Sequence, residues 1–393
     1  MNPDFMLAEM LEQPLVMHRI LSETLPAVEA LVREVGRPGR MVLTGSGDSF
    51  CAAQCGAWGL RAVLHGDMGG ISSVRPLDLA RYRHDLLGPD TWLVAISASG
   101  RTRRVLEAVA AARARGARIL AVTDDPAGPL AVASDHLLML CASPPEALAE
   151  TDYQDPRARE YVGYHHDVPQ TKTFTASVFL TYAFACTLKP RRAGEWLAAL
   201  HALPRLVESI LVDCADSAAA AAKAVIDAEV FIFLGSGAEL PNARYGAFKM
   251  YEFVRKGLWQ EMEEYCHTQY FITRAGTPVL FLADDPFSLE RAGEVAPFLM
   301  DSLKARCILM TTGLPPAGFS HVVPIPAEGP RAFHPLLISL AIQRFAHALA
   351  RHAGLDTSTF RGGLETERYV AGSLEIVRAS RILEPGELGA CTS

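Results

Sequence analysis

The sequence has no apolar run near the roughly 20 residues that a bilayer-spanning helix needs, so nothing in it points to a membrane. It has no excess of basic charge either. Lysine and arginine total 37 against 44 aspartates and glutamates, for a net charge of −7 and a pI near 6.0. A nucleic acid is therefore not the expected partner, and any anion must be held locally, by helix ends and a few cations. The eight cysteines include no Cys-x-x-Cys. Cys51 and Cys55 stand four apart with no matching cluster, and His165-His166 is the only adjacent histidine pair. This usage predicts reduced, mostly buried thiols, no metal and a cytoplasmic protein. The opening Met1-Asn-Pro-Asp lacks the basic region and apolar core of a signal peptide. A dinucleotide fingerprint is missing too. After Gly45-x-Gly47 its third glycine position holds Phe50, and no acidic ribose partner stands out. No organic or redox cofactor is expected.

What is present begins with Val94-Ala-Ile-Ser97-Ala-Ser99-Gly100-Arg-Thr102. An apolar run ends in small hydroxyl residues, and a helix-forming segment, 101–115, follows at once. The pattern predicts a buried parallel strand opening into a helix N-terminus, where unpaired N–H groups attract anions. The hydroxyls add phosphate ligands without bulk. Met41-Val-Leu-Thr-Gly45-Ser-Gly47-Asp-Ser49-Phe reads the same way, as strand, tight turn and helix. Two such turns at the ends of neighbouring strands predict a pocket for a small phosphorylated metabolite.

The length of 393 residues predicts two domains, and a composition one half hydrophobic supplies their cores. Two helices over 5–36 precede strands at 41–45, 71–75, 92–96, 118–123 and 136–141, with helices between. A long helix at 170–187 follows. The pattern then restarts, with strands at 230–235, 278–283, 306–311 and 321–325 and helices at 216–226, 241–256, 288–303 and 332–352. Gly45-Ser-Gly47 and Asp124-Asp125-Pro126 return as Gly235-Ser-Gly237 and Asp284-Asp285-Pro286, which predicts an internal repeat. The fold class is α/β, two tandem doubly wound domains with parallel sheets, 1–205 and 206–393. The second half ends its equivalent strand in acid rather than in hydroxyls. The first domain is thus expected to bind phosphate and the second to supply catalytic groups.

With Gln170-Thr-Lys-Thr-Phe174 and Tyr245-Gly-Ala-Phe-Lys-Met-Tyr-Glu252 added to the two turns, the chain resembles the sugar isomerase (SIS) domains. Their tandem order is that of the isomerase half of glucosamine-6-phosphate synthase. The resemblance covers nearly the whole chain and implies flavodoxin-like sheets and a C-terminal tail over the site. It implies phosphate-binding roles for Ser49, Ser97, Ser99 and Thr102, beside Gly47 of the first turn. It implies a backbone contact at Ala98, where the synthase has glutamine, and sugar-lining positions at Val168 and Gln170. Glu252 matches the carboxylate that moves a proton between C1 and C2. His267 matches the ring-opening histidine, which in the family reaches across a dimer interface, so a homodimer with shared active sites is implied.

Three departures qualify the likeness. The chain starts directly at the isomerase-like half, without a glutaminase half to supply ammonia. Where the synthase has an imine-forming lysine near its C-terminus, Glu365 stands here, and no lysine follows Lys304. A long polar insertion, 142–167, separates the last strand of the first half from the Gln170 helix. The implied function is processing of a sugar 6-phosphate through an enediol(amine), as an aldose–ketose isomerase or an amino-sugar-phosphate deaminase or deglycase. Glu252, His267 and Glu365 are the catalytic candidates. Lys172 and Lys249 read as structural cations, and Arg101 as added charge beside the phosphate or a selector of a second anionic group. The alternative function is a non-catalytic sugar-phosphate sensor.

Overall fold

The structure, a computed structural model, describes residues 4–64, 70–142, 169–188, 192–326 and 328–382. The chain opens with α1 (Phe5–Arg19), a π-helical turn (Ile20–Thr24) and α2 (Leu25–Val35). Next, β1 (Arg40–Gly45), α3 (Asp48–Leu64), β2 (Ile71–Ser73), α4 (Pro76–Arg81) and β3 (Thr91–Ile96) follow. They lead to α5 (Arg103–Arg113), β4 (Arg118–Thr123), α6 (Pro129–Val132) and β5 (His136–Met139). The five strands form one parallel sheet in the order β2-β1-β3-β4-β5. Each residue of β3 is buried, as expected of a central strand covered on both faces. Val42, Leu93, Ala95, Ile119 and Ala121 of the strands pack with Val105, Ala108, Val109 and Ala112 of α5 and Leu79 of α4.

After α7 (Lys172–Thr187), α8 (Ala193–Asp213) and α9 (Ala215–Ala224), the alternation resumes. It runs β6 (Val230–Gly235), α10 (Leu240–Glu252), β7 (Lys256–Gln260), α11 (Met262–His267), β8 (Pro278–Leu282) and α12 (Pro286–Leu303). Then come β9 (Arg306–Thr311), β10 (His321–Pro324), α13 (His334–His352) and α14 (Thr366–Arg378). The second sheet is also parallel, in the order β7-β6-β8-β9-β10. Counted from its own first strand, each sheet has the order 2-1-3-4-5 of the flavodoxin-like doubly wound fold. The register repeats as well. Gly45 lies opposite Ile96 in the first sheet and Gly235 opposite Leu282 in the second.

Two compact units result. One comprises Leu15–His166, Lys172–His201 and Glu367–Ser393, and the other Met1–Pro14, Asp167–Thr171 and Ala202–Thr366. The boundary expected at 205/206 falls inside α8. Several elements depart from the sequence reading, which gave no helix at Ala193–Asp213 and no strand at Lys256–Gln260. The helix expected to run to residue 256 stops at Glu252, and β7 begins at Lys256. Val254 takes the left-handed conformation, φ 61°, and the N–H of Arg255 bonds back to the Met250 carbonyl. That is the geometry of a helix C-terminus, and it turns the chain into an edge strand beside β6.

Candidate active site

In the first unit, β1 and β3 are neighbours whose following helices begin the two hydroxyl-rich turns. In a sheet of this order the crevice beyond the carboxyl ends of those two strands is the topological switch point, where such folds bind ligands. The first turn is built on glycine. Gly47 has φ 57°, and a Cβ on Gly45 would sit 2.7 Å from the backbone of Ser49, so neither position admits another residue without rearrangement. Ser49 lies in the first turn of α3, half-buried.

The second turn follows β3. Ser97 is buried, and its Oγ lies 2.9 Å from Thr102 Oγ1. Ser99 is half-buried, and its Oγ accepts from the N–H of Arg101 at 3.3 Å. The Ala98 carbonyl accepts from Thr123 Oγ1 and from the N–H of Asp124, both at 3.0 Å, so a ligand contact at Ala98 falls to its N–H. Arg101 is committed elsewhere. Its Nη2 donates to Asp125 Oδ2 at 2.9 Å, at the end of β4. That pair offsets the charge of Arg101 and braces the turn on the β4 side. The structure thus joins Ser97, Ser99 and Thr102 in one turn and sets Ser49 at the end of the adjoining strand.

In the second unit, Glu252 is the last residue of α10, with its side chain 14% exposed. Lys249, one turn earlier, is fully buried, and its Nζ donates to Glu252 Oε1 at 2.7 Å and to the Gln170 carbonyl at 2.8 Å. The same ammonium sits 4.9 Å from the centre of the Tyr245 ring, within cation–π range. Glu9 Oε2 accepts from the N–H of Thr171 at 2.8 Å. The backbone of Gln170–Thr171 is therefore pinned from two sides, next to the Lys249–Glu252 pair. A carboxylate fixed by a buried cation is suited to carry a proton over a short distance without changing place. The sequence reading took Lys249 for a structural cation without pairing it with Glu252; the signal for the pair was their three-residue spacing, which puts both on one helix face.

His267 ends α11 with its side chain 67% exposed and Nε2 3.3 Å from Glu263 Oε1. Glu365 is exposed, at φ 53°, with Oε2 3.8 Å from Arg361 Nη2. Val168 and the insertion, apart from buried Ala142, lie outside the described residues. Among the described residues no group of three or more histidine, cysteine, aspartate or glutamate side chains could hold a metal ion. Six of the seven described cysteines are buried, and burial pushes the thiols of Cys186 and Cys307 up to about 12. No helix among the described residues is long and apolar enough to cross a membrane.

Residues 36–153 match the SIS domain model. The glutamine–fructose-6-phosphate aminotransferase (isomerizing) of Pyrobaculum aerophilum is 29% identical over 366 residues, covering 90% of this chain and 56% of the relative. The chain thus spans about half the length of that protein. The C-terminal domain of glucosamine-fructose-6-phosphate aminotransferase from Francisella tularensis has a similar fold. Its TM-score is 0.72 at 18% identity, covering 91% of this chain and 98% of that one. Tagatose-6-phosphate ketose/aldose isomerase from Escherichia coli aligns with a TM-score of 0.65 at 18% identity, over 91% and 95% of the two chains. Residues 36–153 are thus an SIS domain, and the repeated parallel sheets give the chain a fold similar to that of these phosphosugar proteins.

Proposed function

We propose that the chain is an enzyme acting on a phosphorylated sugar or amino sugar, either as an aldose–ketose isomerase or as an amino-sugar-phosphate deaminase or deglycase. The observation that carries this reading is the pair of hydroxyl-rich turns at the β1/β3 switch point. Ser49, Ser97, Ser99 and Thr102 hold the phosphate there with two helix N-termini, remote from the reacting carbons, so that binding energy positions the sugar chain. Glu252 removes the proton from the carbon next to the carbonyl and returns it to the neighbouring carbon through an enediol or enediolamine. Lys249 keeps that carboxylate in place. A histidine, His267, exchanges the ring-opening proton. Its exposed place at the end of α11 suits a group offered to a second copy of the chain, in a homodimer with shared sites. No cofactor enters this chemistry, and a cytoplasmic location suits the substrate class.

The relatives support the reading by name, since one is an isomerizing aminotransferase and another a ketose/aldose isomerase. The test is a screen of hexose, hexosamine and fructosamine phosphates, scored for isomer formation and for release of ammonia or amine. Turnover of any one of them supports the reading and selects the reaction. Tight binding of a phosphosugar without turnover of any would replace it with the sensor.

A further inference from the structure

Helix α1 comes first in the chain, yet most of it belongs to the second unit, which joins Met1–Pro14 with Asp167–Thr171 and Ala202–Thr366. Met6, Met10 and Gln13 have the spacing of one helix face, and all three are buried. Gln13 Nε2 donates to Gln343 Oε1 of α13 at 2.6 Å, and Asp4 Oδ2, just before α1, lies 2.7 Å from Nε2 of His347 on the same helix. Two ties therefore hold α1 to α13, and Glu9 stands between them. A side chain on a segment held in this way can set the position of what it bonds.

Glu9 Oε2 accepts from the N–H of Thr171 at 2.8 Å, and Thr171 Oγ1 lies 3.5 Å from the same oxygen. Thr171 is fully buried and stands just before α7, where no carbonyl of that helix can answer its N–H. The other end of the same peptide group is the carbonyl of Gln170, which accepts from Lys249 Nζ at 2.8 Å. One peptide group is thus gripped at both ends, by a carboxylate at its N–H and by a buried ammonium at its oxygen. Because the group is planar, two grips fix its orientation. They also reinforce each other, since a carboxylate at the N–H makes the carbonyl a stronger acceptor. The ammonium of Lys249 ends a flexible four-carbon stem, so its acceptors decide where it sits. It also donates to Glu252 Oε1, at 2.7 Å.

We propose that Glu9 is a positioning residue for Glu252: by holding the Gln170–Thr171 peptide group it sets the place of Lys249 Nζ and, through it, of the Glu252 carboxylate. The connection runs from the Glu9 carboxylate to the peptide N–H, then from the peptide carbonyl to the ammonium and on to Glu252, and every link lies within the second unit. It is a series of fixed contacts and not a proton path, because the peptide group in the middle keeps its proton. The inference rests on the reading of Glu252 as the base, and it gives α1 a part in the chemistry. The bland alternative, in which Glu9 does no more than satisfy a buried N–H, is an outcome of the test.

The test compares E9A and E9Q with the wild-type full chain on the sugar phosphate that the screen above identifies. Glutamine keeps an acceptor for the Thr171 N–H and alanine does not. E9A is expected to lower kcat by about tenfold or more with KM changed by less than about twofold, and E9Q to recover most of that loss. Wild-type kcat in folded E9A, with only its unfolding midpoint lowered, would overturn the proposal and leave Glu9 a structural carboxylate. If E9A does not fold, E9D, which draws the carboxylate back by one carbon, takes its place and should lose kcat as well. Urea-unfolding midpoints of E9A, K249M and the double variant form a second arm that needs no turnover. Residues in one hydrogen-bonded network couple, so the shift of the double variant should depart from the sum of the single shifts; additive shifts would overturn the proposal. A wild-type chain that turns over no sugar phosphate sinks the enzyme reading instead, and the second arm then decides whether Glu9 holds the Lys249–Glu252 pair.

Discussion

Ser97 and Thr102 bond to each other, so a phosphate entering the turn exchanges one hydrogen bond for charge-assisted ones. Each of these contributes about 1.5–3 kcal/mol. Replacing Ser97 and Ser99 together by alanine is therefore expected to weaken binding of a phosphorylated ligand by at least about tenfold, measured as Kd by calorimetry. Unchanged affinity would remove the phosphate from this turn. Glu252→Gln keeps shape and a hydrogen-bond acceptor for Lys249 but removes the base. Turnover should fall by about 10² or more while Kd changes little. Near-normal turnover would make Glu252 a structural carboxylate of α10. Hydroxyls after an apolar strand were legible in the sequence because their chemistry and their local geometry coincide. Lys249 was legible only as a structural cation and its hold on Glu252 was not, since a lysine at this spacing is usually solvated, and only the packing that buries it fully turns a surface pair into a fixed one.

Asp4 and His347 decide how the first helix is anchored. Asp4 Oδ1 accepts from the N–H of Leu7 at 3.1 Å and from Thr357 Oγ1 at 2.8 Å, and Oδ2 lies 2.7 Å from His347 Nε2 on α13. Burial lowers the pKa of His347 below its ordinary 6.5, outweighing the carboxylate beside it. As pH falls through about 6.5, the unfolded chain takes up the proton before the folded one does. Stability must therefore drop with pH from that point down to the folded pKa. Asp4 is lowered by its bonds to His347 and Thr357, against burial, and adds a second loss below about 3.8. Urea-unfolding midpoints taken between about pH 7.5 and 5 should fall for the wild type and fall less for His347→Gln. Equal slopes would show that His347 does not titrate differently in the two states. At this scale the central strands were plain in the sequence, being continuous apolar runs. The edge strand β7 was missed because its side chains are mostly half-buried or exposed and it pairs with β6 alone.

For the whole molecule, the shared-site reading requires assembly. Sedimentation should give twice the 42.6 kDa chain mass, and mixed Glu252→Gln and His267→Ala chains should regain part of the activity that each lacks. A confirmed mixed dimer without activity would count against shared sites. The sign of the charge follows from composition, and the repeat of one α/β pattern and the hydroxyl turns were set by sequence alone because each depends on residues close together in the chain. Local backbone preference and hydrophobic periodicity are enough to specify them. Tertiary structure alone decided the rest. It set the common 2-1-3-4-5 order of both sheets, the division into two units that each draw on distant stretches of chain, and the burial of Lys249. Those depend on which surfaces meet after folding, where desolvation makes a charge costly unless another group answers it.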